Sequence, residues 1–427
     1  MRRLEILYKE CEGTRSSKPA SRRRSGRSSR FSHRLPLAWL QLIREKTRFA
    51  IALSGIAFAS VLIFVQLGFE DALYDGCMLP HQALNADLVM INPQFQTFFS
   101  PKSFSRSNLY RCRGLDGVDA VTGVYLGRGE FKNPENGMNR DLLVYGCDPT
   151  TVPFKQDGLA EQMPKLRMLD RAFFDTGSRP EFGPVKSMLG ESKQIHTEVN
   201  RKGVSICGKF LLGASFTSDG NLLTSDSTFL RFFPEHRSDQ VELGLIRLRP
   251  GADVEEVKAA IRSRLEAGAP RFAANARFGK PVLVLNKKEF AQREKEYWAN
   301  NTGIGYVFGF GVIVGFVVGV VIVYQVLYSD VCDHLAEYAT LKAIGYTNRY
   351  LVWVLLQEAF ILSICGYIPG LLLSFILYKV SSDATLLPIA MSFDRAAFVL
   401  VLSLLMCSMS ALIAMRKLRD ADPADIF

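Results

Sequence analysis

Four long apolar runs dominate this sequence and limit what it can fold into. They cover residues 49–69, 304–328, 351–378 and 396–415. Each run is long enough to carry a helix across the hydrocarbon core of a bilayer, which needs roughly 20 apolar residues. Because lipid offers no hydrogen bonds to the backbone, we expect each run to form an α-helix. The polar segment 70–303 separates the first run from the other three, which lie close together.

Positive charge is concentrated before the first apolar run. Residues 1–48 contain 14 Lys and Arg residues against four Glu residues, so this segment accounts for the net charge of +10 of the whole chain. A nucleic-acid-binding protein would spread its basic residues over a folded face, so we expect no nucleic-acid partner. A basic flank beside an apolar run follows the positive-inside rule. We therefore predict a plasma (inner) membrane protein with cytoplasmic N- and C-termini and an extracytoplasmic segment 70–303.

The basic flank has two parts. Residues 1–34 are rich in Ser and Arg and too polar to bury a core, so we predict a disordered cytoplasmic tail that contacts membrane lipids. An over-extended start of the reading frame is the alternative for this part. Residues 35–48 place four apolar side chains on one helical face: Leu35, Trp39, Leu42 and Ile43. We interpret them as an amphipathic helix at the membrane surface, and a plain extension of the first membrane helix is the alternative.

The short segment 329–350, between the second and third apolar runs, carries its own helical pattern. Its apolar residues recur at spacings of four, three and three: Val331, Leu335, Tyr338 and Leu341. Glu337 and Lys342 lie off this stripe, and Gly345 can end the helix as a C′ residue. The stripe must be buried, either on the lipid surface and the ends of the membrane helices or in the groove of a partner. Periodicity alone leaves both interpretations open.

Two glycine patterns predict close packing of the membrane helices. In the second apolar run glycine recurs every four residues, at Gly311, Gly315 and Gly319. A bare helical face of this kind lets another helix approach closely, either within one subunit or in a dimer. The third run contains Gly366 and Gly370 at the same spacing, with Pro369 between them. Proline removes a backbone hydrogen bond, so we expect a kink there.

Glu358 is the only carboxylate within the four apolar runs. An acid inside a membrane marks a functional path or a paired polar contact. Because Glu358 lies only about two turns from Arg349, we interpret it as a structural acid within reach of interfacial water and not as a catalytic group. His334 and Glu337 are one turn apart, and we expect a solvated face rather than a metal site. The chain has neither a C-x-x-C nor an H-E-x-x-H motif.

The segment 70–303 is large enough to have a hydrophobic core of its own. A strand at 241–249, a helix at 254–265 and a strand at 282–285 are predicted to form a strand–helix–strand unit. Residues 287–300 are predicted to be a polar helix that runs straight into the second apolar run. We therefore expect an α+β domain. Its four cysteines would allow three disulfide pairings if oxidised: Cys77, Cys112, Cys147 and Cys207.

One motif in this domain has the spacing of a nucleotide-binding loop. Residues 203–209 fit G-x-x-x-x-G-K. However, Phe210 replaces the Ser or Thr hydroxyl that would bind Mg²⁺, and a strand pattern follows where a helix N-terminus should hold the phosphate. We identify no other nucleotide motif. We therefore expect a chain that is not an enzyme and binds no cofactor, with ATP bound by a separate subunit.

The prediction is thus an α-helical membrane protein with four transmembrane helices and a large α+β extracytoplasmic domain between helices 1 and 2. The remaining pieces are a short periplasmic loop at 379–395 and a cytoplasmic tail at 416–427.

A resemblance gives the layout a function. The run EYATLKAIGYTNRYLVWVLLQEAFILSICGYIPG (337–370) and the terminal AMRKLRDADPADIF resemble the motifs of FtsX/MacB-type ABC transporter permeases. More narrowly, LAWLQLIREKTRFAIALSGIAFASVLIFVQLGFEDAL and LLGASFTSDGNLLTSD are similar to DevC, the permease subunits of DevBCA exporters. The resemblance covers nearly the whole chain from about residue 35. It implies an FtsX-like permease domain at about 304–420, a MacB-like periplasmic domain, and a coupling helix from Val331 to Gly345 that binds the ATP-binding subunit.

The same resemblance implies a tripartite exporter. Its partners would be an ABC ATP-binding subunit, a periplasmic membrane fusion (adaptor) protein, an outer-membrane channel and a second copy of the chain. The exported compound would be a lipid, a glycolipid or another hydrophobic molecule, and the residues do not choose among them. One alternative is an FtsX-like subunit that uses ATP-driven motion to activate a cell-wall hydrolase. The other is a membrane-anchored sensor with no transport role.

Overall fold

The computed structural model describes residues 46–190, 194–215, 218–267 and 282–420. Its α-helices are α1 (Lys46–Ala83), α2 (Arg106–Tyr110), α3 (Leu159–Gln162), α4 (Val185–Gly190), α5 (Asp226–Phe232), α6 (Val254–Ala267), α7 (Lys287–Glu296), α8 (Gly303–Asp333), α9 (Leu335–Ala343), α10 (Asn348–Thr385) and α11 (Phe393–Asp420). Four of them, α1, α8, α10 and α11, are long and apolar enough to cross a membrane. The predicted fold class is confirmed, because an α+β domain lies between the first and second of these helices.

The first membrane helix is longer than its apolar run. The run ends at residue 69, but α1 continues to Ala83. Polar residues end the stretch suited to lipid without ending the helix, which continues through Gly76 and Pro80. Leu73, Tyr74 and Cys77 in the extension are buried. The extension therefore carries α1 out of the membrane and onto the inserted domain.

The inserted domain is built on one mixed sheet of nine strands. Its order is β11-β1-β10-β3-β4-β8-β5-β7-β6, and β2 pairs with β9 in a small separate ribbon. The strands are β1 (Leu88–Ile91), β2 (Phe104–Ser105), β3 (Val118–Lys132), β4 (Asn139–Cys147), β5 (Arg171–Asp175), β6 (Ile195–Val199), β7 (Lys202–Phe210), β8 (Asn221–Ser225), β9 (Gln240–Val241), β10 (Leu243–Leu248) and β11 (Leu283–Asn286). The predicted strand–helix–strand unit is present as β10, α6 and β11. However, β1 pairs between the two strands, antiparallel to both.

Each face of this sheet buries its own hydrophobic core. Side chains alternate along a strand, so Tyr125 and Phe131 of β3 pack on one face while Val124 and Leu126 pack on the other. The cysteines in and beside this sheet form no disulfide in the described structure. Four of them are free thiols: Cys77, Cys112, Cys147 and Cys207.

The helix bundle is organised around α1, which contacts both α8 and α10. A side chain at Gly315 would press on Ile63 of α1, and one at Gly319 would overlap Met406 of α11. The other glycines of the two patterns also lie against α1: Gly311, Gly366 and Gly370. The interpretation that the glycine face meets a second copy is therefore wrong, because helices of the same chain cover it. The helix α10 continues unbroken through Pro369.

Candidate coupling site at one end of the helix bundle

The short helix α9 is enclosed between α8 and α10 by two sharp turns. His334 alone separates it from α8. At its other end Gly345 has a φ of 105°, the N–H of Gly345 donates to the carbonyl of Lys342, and the N–H of Tyr346 donates to the carbonyl of Leu341. These two bonds define a Schellman motif with Gly345 at C′. A Cβ at Gly345 would meet nothing within 4 Å, so the residue is needed for its backbone conformation and not for space.

The expected coupling helix begins later than the sequence pattern indicated. Val331 belongs to α8, which continues to Asp333, and its side chain is buried beside Val323 and Leu327. The prediction of a single helix from Val331 to Gly345 is wrong at its start, because nothing after Tyr328 interrupts the backbone hydrogen bonds of α8. The break falls at His334 instead.

The apolar stripe of α9 packs on the bundle itself. Tyr338 is buried among Leu351 and Leu355 of α10, and Leu335 and Leu341 pack against the same cluster. Of the two interpretations that periodicity left open, the structure supports the one in which the stripe rests on the ends of the membrane helices. This stripe is therefore covered within the chain and is not free to fill the groove of a partner.

The surface left open at this site comes from the residues after the stripe. Ile344 is 70% exposed and Tyr346 is 43% exposed, although both are apolar in body. The rings of Tyr346 and Tyr350 lie side by side, 4.7 Å between centroids. Glu337 is also exposed, with 61% of its side chain accessible. We call Glu337, Ile344, Tyr346 and Tyr350 the α9 surface.

Beneath α9 lies a buried polar cluster. Glu358 is 1% exposed and its carboxyl group makes a hydrogen bond with that of Asp330 in α8. Within the described residues, Glu358 Oε2 and the hydroxyl of Tyr338 have no hydrogen-bond partner. The interpretation of Glu358 as an acid in reach of interfacial water is therefore wrong, and it makes a paired polar contact instead.

His334 completes this cluster. Its Nδ1 lies 3.3 Å from Glu337 and its Nε2 lies 3.8 Å from Asp330, with 13% of the His334 side chain exposed. Of the two residues of the expected solvated face, His334 is thus mostly covered and Glu337 is exposed. The described residues contain no group of His, Cys, Asp and Glu side chains that could hold a metal ion. The cluster therefore joins α8, α9 and α10 through side-chain contacts.

An ion pair connects the start of α1 to the same end of the bundle. Arg48 contacts Asp333, the last residue of α8. Arg48 is also the last residue of the predicted interfacial helix 35–48, whose apolar residues Trp39, Leu42 and Ile43 lie outside the described residues. The starting end of α1 is therefore attached to the helix that leads into α9.

At the opposite end, a second buried pair joins the two helices that connect the membrane to the inserted domain. His81 Nε2 in the extension of α1 lies 2.8 Å from Glu294 Oε2 in α7, and both residues are 1% exposed. The indole N–H of Trp298 donates to the other oxygen of Glu294 at 3.3 Å. Phe98 and Phe290 surround the imidazole edge-on at 4.8 and 4.3 Å. The pair is dry and fixes α7 against α1.

The connection from α7 into α8 is jointed. A π-helical turn, Tyr297–Asn301, follows α7, and Thr302 is extended with φ −115° and ψ 157°. Thr302 then caps α8 by accepting a hydrogen bond from the N–H of Ile304. The prediction that residues 287–300 run straight into the second membrane helix is therefore wrong, because the cap threonine interrupts the helix.

Part of the helix bundle matches a known protein family. Residues 308–423 match the family model described as FtsX-like permease C-terminal. The chain carries an FtsX-like permease domain. The match begins in α8 and includes α9, the Asp330–Glu358 pair, α10 and α11. With its four apolar helices, the protein is a multi-pass protein of the inner membrane.

A curated relative supports the same family. The chain is 22% identical over 268 residues to the macrolide export ATP-binding/permease protein MacB of Bdellovibrio bacteriovorus. This match covers 61% of the chain and 39% of the relative, so the chain spans about two-fifths of the relative's length. The chain is thus similar to FtsX/MacB-type permeases.

Two solved structures are similar to about half of the chain. The periplasmic region of MacB from Actinobacillus actinomycetemcomitans is 10% identical, with 49% of this chain and 93% of that chain covered and a TM-score of 0.34. The extracellular domain of the noncanonic ABC-type transporter YknZ from Gram-positive bacteria is also 10% identical, with 47% and 99% covered and a TM-score of 0.31.

Proposed function

We propose that this FtsX-like permease transmits the motion of a separate ABC ATPase to its inserted domain and so drives export. The observation that carries the proposal is the single continuous helix α1. It is tied to α8 by Arg48 and Asp333 at the end that carries α9, and to α7 by His81 and Glu294 at the domain. Motion at one end of α1 is therefore transmitted to the other end by one continuous helix.

The α9 surface is the proposed binding site for the ATPase. It lies between the second and third membrane helices, on the side that the positive-inside rule assigns to the cytoplasm. Exposed apolar residues such as Ile344 and Tyr346 fit the apolar centre of a protein interface. Glu337 and Lys342 supply charge at its edge. In this proposal the termini are cytoplasmic and the inserted domain is periplasmic.

The buried cluster below would carry the motion into the bundle. Asp330, Tyr338 and Glu358 belong to three successive helices and lie close enough to act on one another electrostatically. A displacement of α9 therefore has to move α8 and α10 together, because separating the helices would expose the apolar stripe of α9 that packs on them. Through Arg48 the same displacement reaches α1.

A second copy of the chain is proposed to pack on the outer face of α8. This face carries apolar residues at alternating spacings of three and four: Val307, Phe310, Val314, Val317 and Val321. They are between 42% and 60% exposed. Such a heptad stripe is typical of a helix-to-helix seam. Cysteine crosslinking tests this seam. The Val314→Cys variant should form a crosslinked dimer, whereas Leu372→Cys on the outward face of α10 should not.

The proposed substrate is a lipid, a glycolipid or another hydrophobic compound, passed to an adaptor protein and an outer-membrane channel as in DevBCA-type and MacB-type exporters. The support is the family match and the word export in the name of the relative. Co-purification of an adaptor with the chain is the expected outcome, and co-purification of a cell-wall hydrolase would replace export by activation of that hydrolase.

The coupling proposal is tested by ATP hydrolysis. The chain is expressed with its ATPase and adaptor, and the stimulated hydrolysis rate is measured for Ile344→Asp and for Leu211→Asp, an exposed apolar residue of the inserted domain. A charged side chain at position 344 should lower the stimulated rate at least tenfold, because binding of the ATPase would bury the charge and remove it from water. Leu211→Asp should leave the rate unchanged. Full stimulation of the Ile344→Asp complex would contradict the assignment of the α9 surface.

A further inference from the structure

The inserted domain carries a polar cleft that is separate from the α9 surface and the buried pairs. It has a volume of about 390 Å³ and lies beside β5 and β7. The residues that carry its chemistry are Gln162, Lys165, Arg171, Cys207, Gly208 and Lys209. The last two belong to the G-x-x-x-x-G-K motif that fails as a nucleotide loop. Its volume is in the range of small-molecule sites.

The backbone around the cleft is irregular in a way that opens it. Strands β5 and β7 run parallel, and their register shifts between Ala172 and Phe173, which leaves Cys207 as the extra residue of a bulge. Bulges of this kind re-aim side chains and are common beside functional sites. Gly208 forms the floor, since a Cβ there would lie 2.5 Å from Phe173 and 2.8 Å from Gln162 Oε1. Any larger residue would therefore close the cleft.

Among the residues that the structure describes, the charged side chains that line the cleft are all positive. Lys165, Arg171 and Lys209 all line it, and among the described residues no Asp or Glu lines it or forms an ion pair with any of the three. Other arginines and lysines of the domain, including Arg179, Arg231 and Lys258, have carboxylate partners. Three converging cations raise the local concentration of anions.

The pKa of the Cys207 thiol is affected by the same positive charge. Burial raises the pKa of Cys207, and the nearby Arg171 and Lys165 oppose that rise. Both cations therefore lie close enough to act on one atom inside the cleft. The amide of Gln162 is held there by its hydrogen bonds, with its oxygen accepting from the backbone N–H of Lys209 and its nitrogen donating to the carbonyl of Gly158.

We propose that this cleft binds the phosphate group of a phosphate ester, with Arg171 and Lys209 as its main contacts and Lys165 at the rim. Arginine offers a planar fork that matches phosphate oxygens, and lysine adds a point charge. A phosphate monoester carries a charge of about −1.5 to −2 near neutral pH, which suits three cations better than a single carboxylate would. The phosphate belongs either to a lipid headgroup or to a soluble ester.

The test uses the full chain in nanodiscs of phosphatidylcholine, and it does not involve the ATPase. The rate of Cys207 alkylation by N-ethylmaleimide is followed by peptide mass spectrometry, with the buried Cys112 and Cys147 as internal references. Added glycerol 3-phosphate should slow the alkylation of Cys207 at least fivefold, and glycerol should not. In a second arm, nanodiscs that contain phosphatidic acid replace the soluble ester. Protection in this arm alone identifies a lipid headgroup as the source of the phosphate.

Matched variants locate the binding. The Arg171→Gln/Lys209→Gln variant should lose the protection, whereas Lys202→Gln, an exposed lysine at the far end of the same strand, should keep it. If the double variant does not fold, the Lys165→Gln variant, which changes an exposed residue, is tested in its place. Its affinity for the phosphate ester should be at least threefold lower. No protection in either arm, or equal loss of protection in Lys202→Gln, would overturn the site. Because ATP hydrolysis is not measured, this outcome is independent of the coupling proposal.

Discussion

Replacing His81 by alanine would leave the carboxylate of Glu294 buried without its main partner. Both side chains are 1% exposed, and the aromatic rings of Phe98 and Phe290 exclude water from the pair. Removing one partner of a buried charged pair typically costs about 3–5 kcal/mol. Trp298 would remain as a donor to Glu294 at 3.3 Å, so we expect the lower part of that range, about 3 kcal/mol.

Replacing both partners should have a different result. A His81→Phe/Glu294→Leu variant removes the polar pair and keeps most of its volume, and such replacements are often neutral or stabilising. The free energy of unfolding, measured in detergent by Trp298 fluorescence, should therefore fall by about 3 kcal/mol in His81→Ala and by less than about 1 kcal/mol in the double variant. A loss below about 1 kcal/mol in His81→Ala, or an equal loss in the double variant, would refute this account of the pair.

Three further predictions concern other parts of the chain. Gly345→Ala places a side chain at a φ of 105°, so it should cost about 1–2 kcal/mol in unfolding measurements and reduce stimulated ATP hydrolysis. Gly319→Val should lower the unfolding free energy by about 1–3 kcal/mol through overlap with Met406, while Gly303→Val, which meets nothing within 4 Å, should not. A hydrogen bond to Glu242 raises the pKa of His236, so its stabilisation is complete below about pH 6.5 and disappears as the pH rises through the folded pKa; His236→Gln should flatten the dependence of unfolding on pH.

Local sequence patterns predicted which segments form the membrane helices, and they did so for a clear physical reason. An uninterrupted apolar run such as 304–328 has no stable alternative in lipid to a helix. The same patterns did not predict where helices end. They mark where the chain leaves lipid, whereas α1 continues to Ala83 and α8 to Asp333.

The contacts of the candidate site were less predictable than its position. Periodicity identified the stripe that contains Tyr338, but not the surface that buries it, because the covering residues Leu351 and Leu355 belong to another helix. The partner of Glu358 is 28 positions away at Asp330, and His81 and Glu294 are 213 positions apart. The exposed Ile344 had one local signal, since it directly precedes a C′ glycine and lies off the stripe.

The two connections between the bundle and the inserted domain differ in stiffness, and this difference limits how the domain can move. The helix α1 is unbroken over 38 residues, a length of about 57 Å at 1.5 Å per residue, whereas α7 and α8 meet at the extended Thr302. A tilt of about 5° at the end near Arg48 would displace the far end of such a rod by about 5 Å. Rotation about the Thr302 backbone can absorb the resulting change in angle between α7 and α8. The domain thus has one principal degree of freedom, a sideways swing whose direction is set by α1.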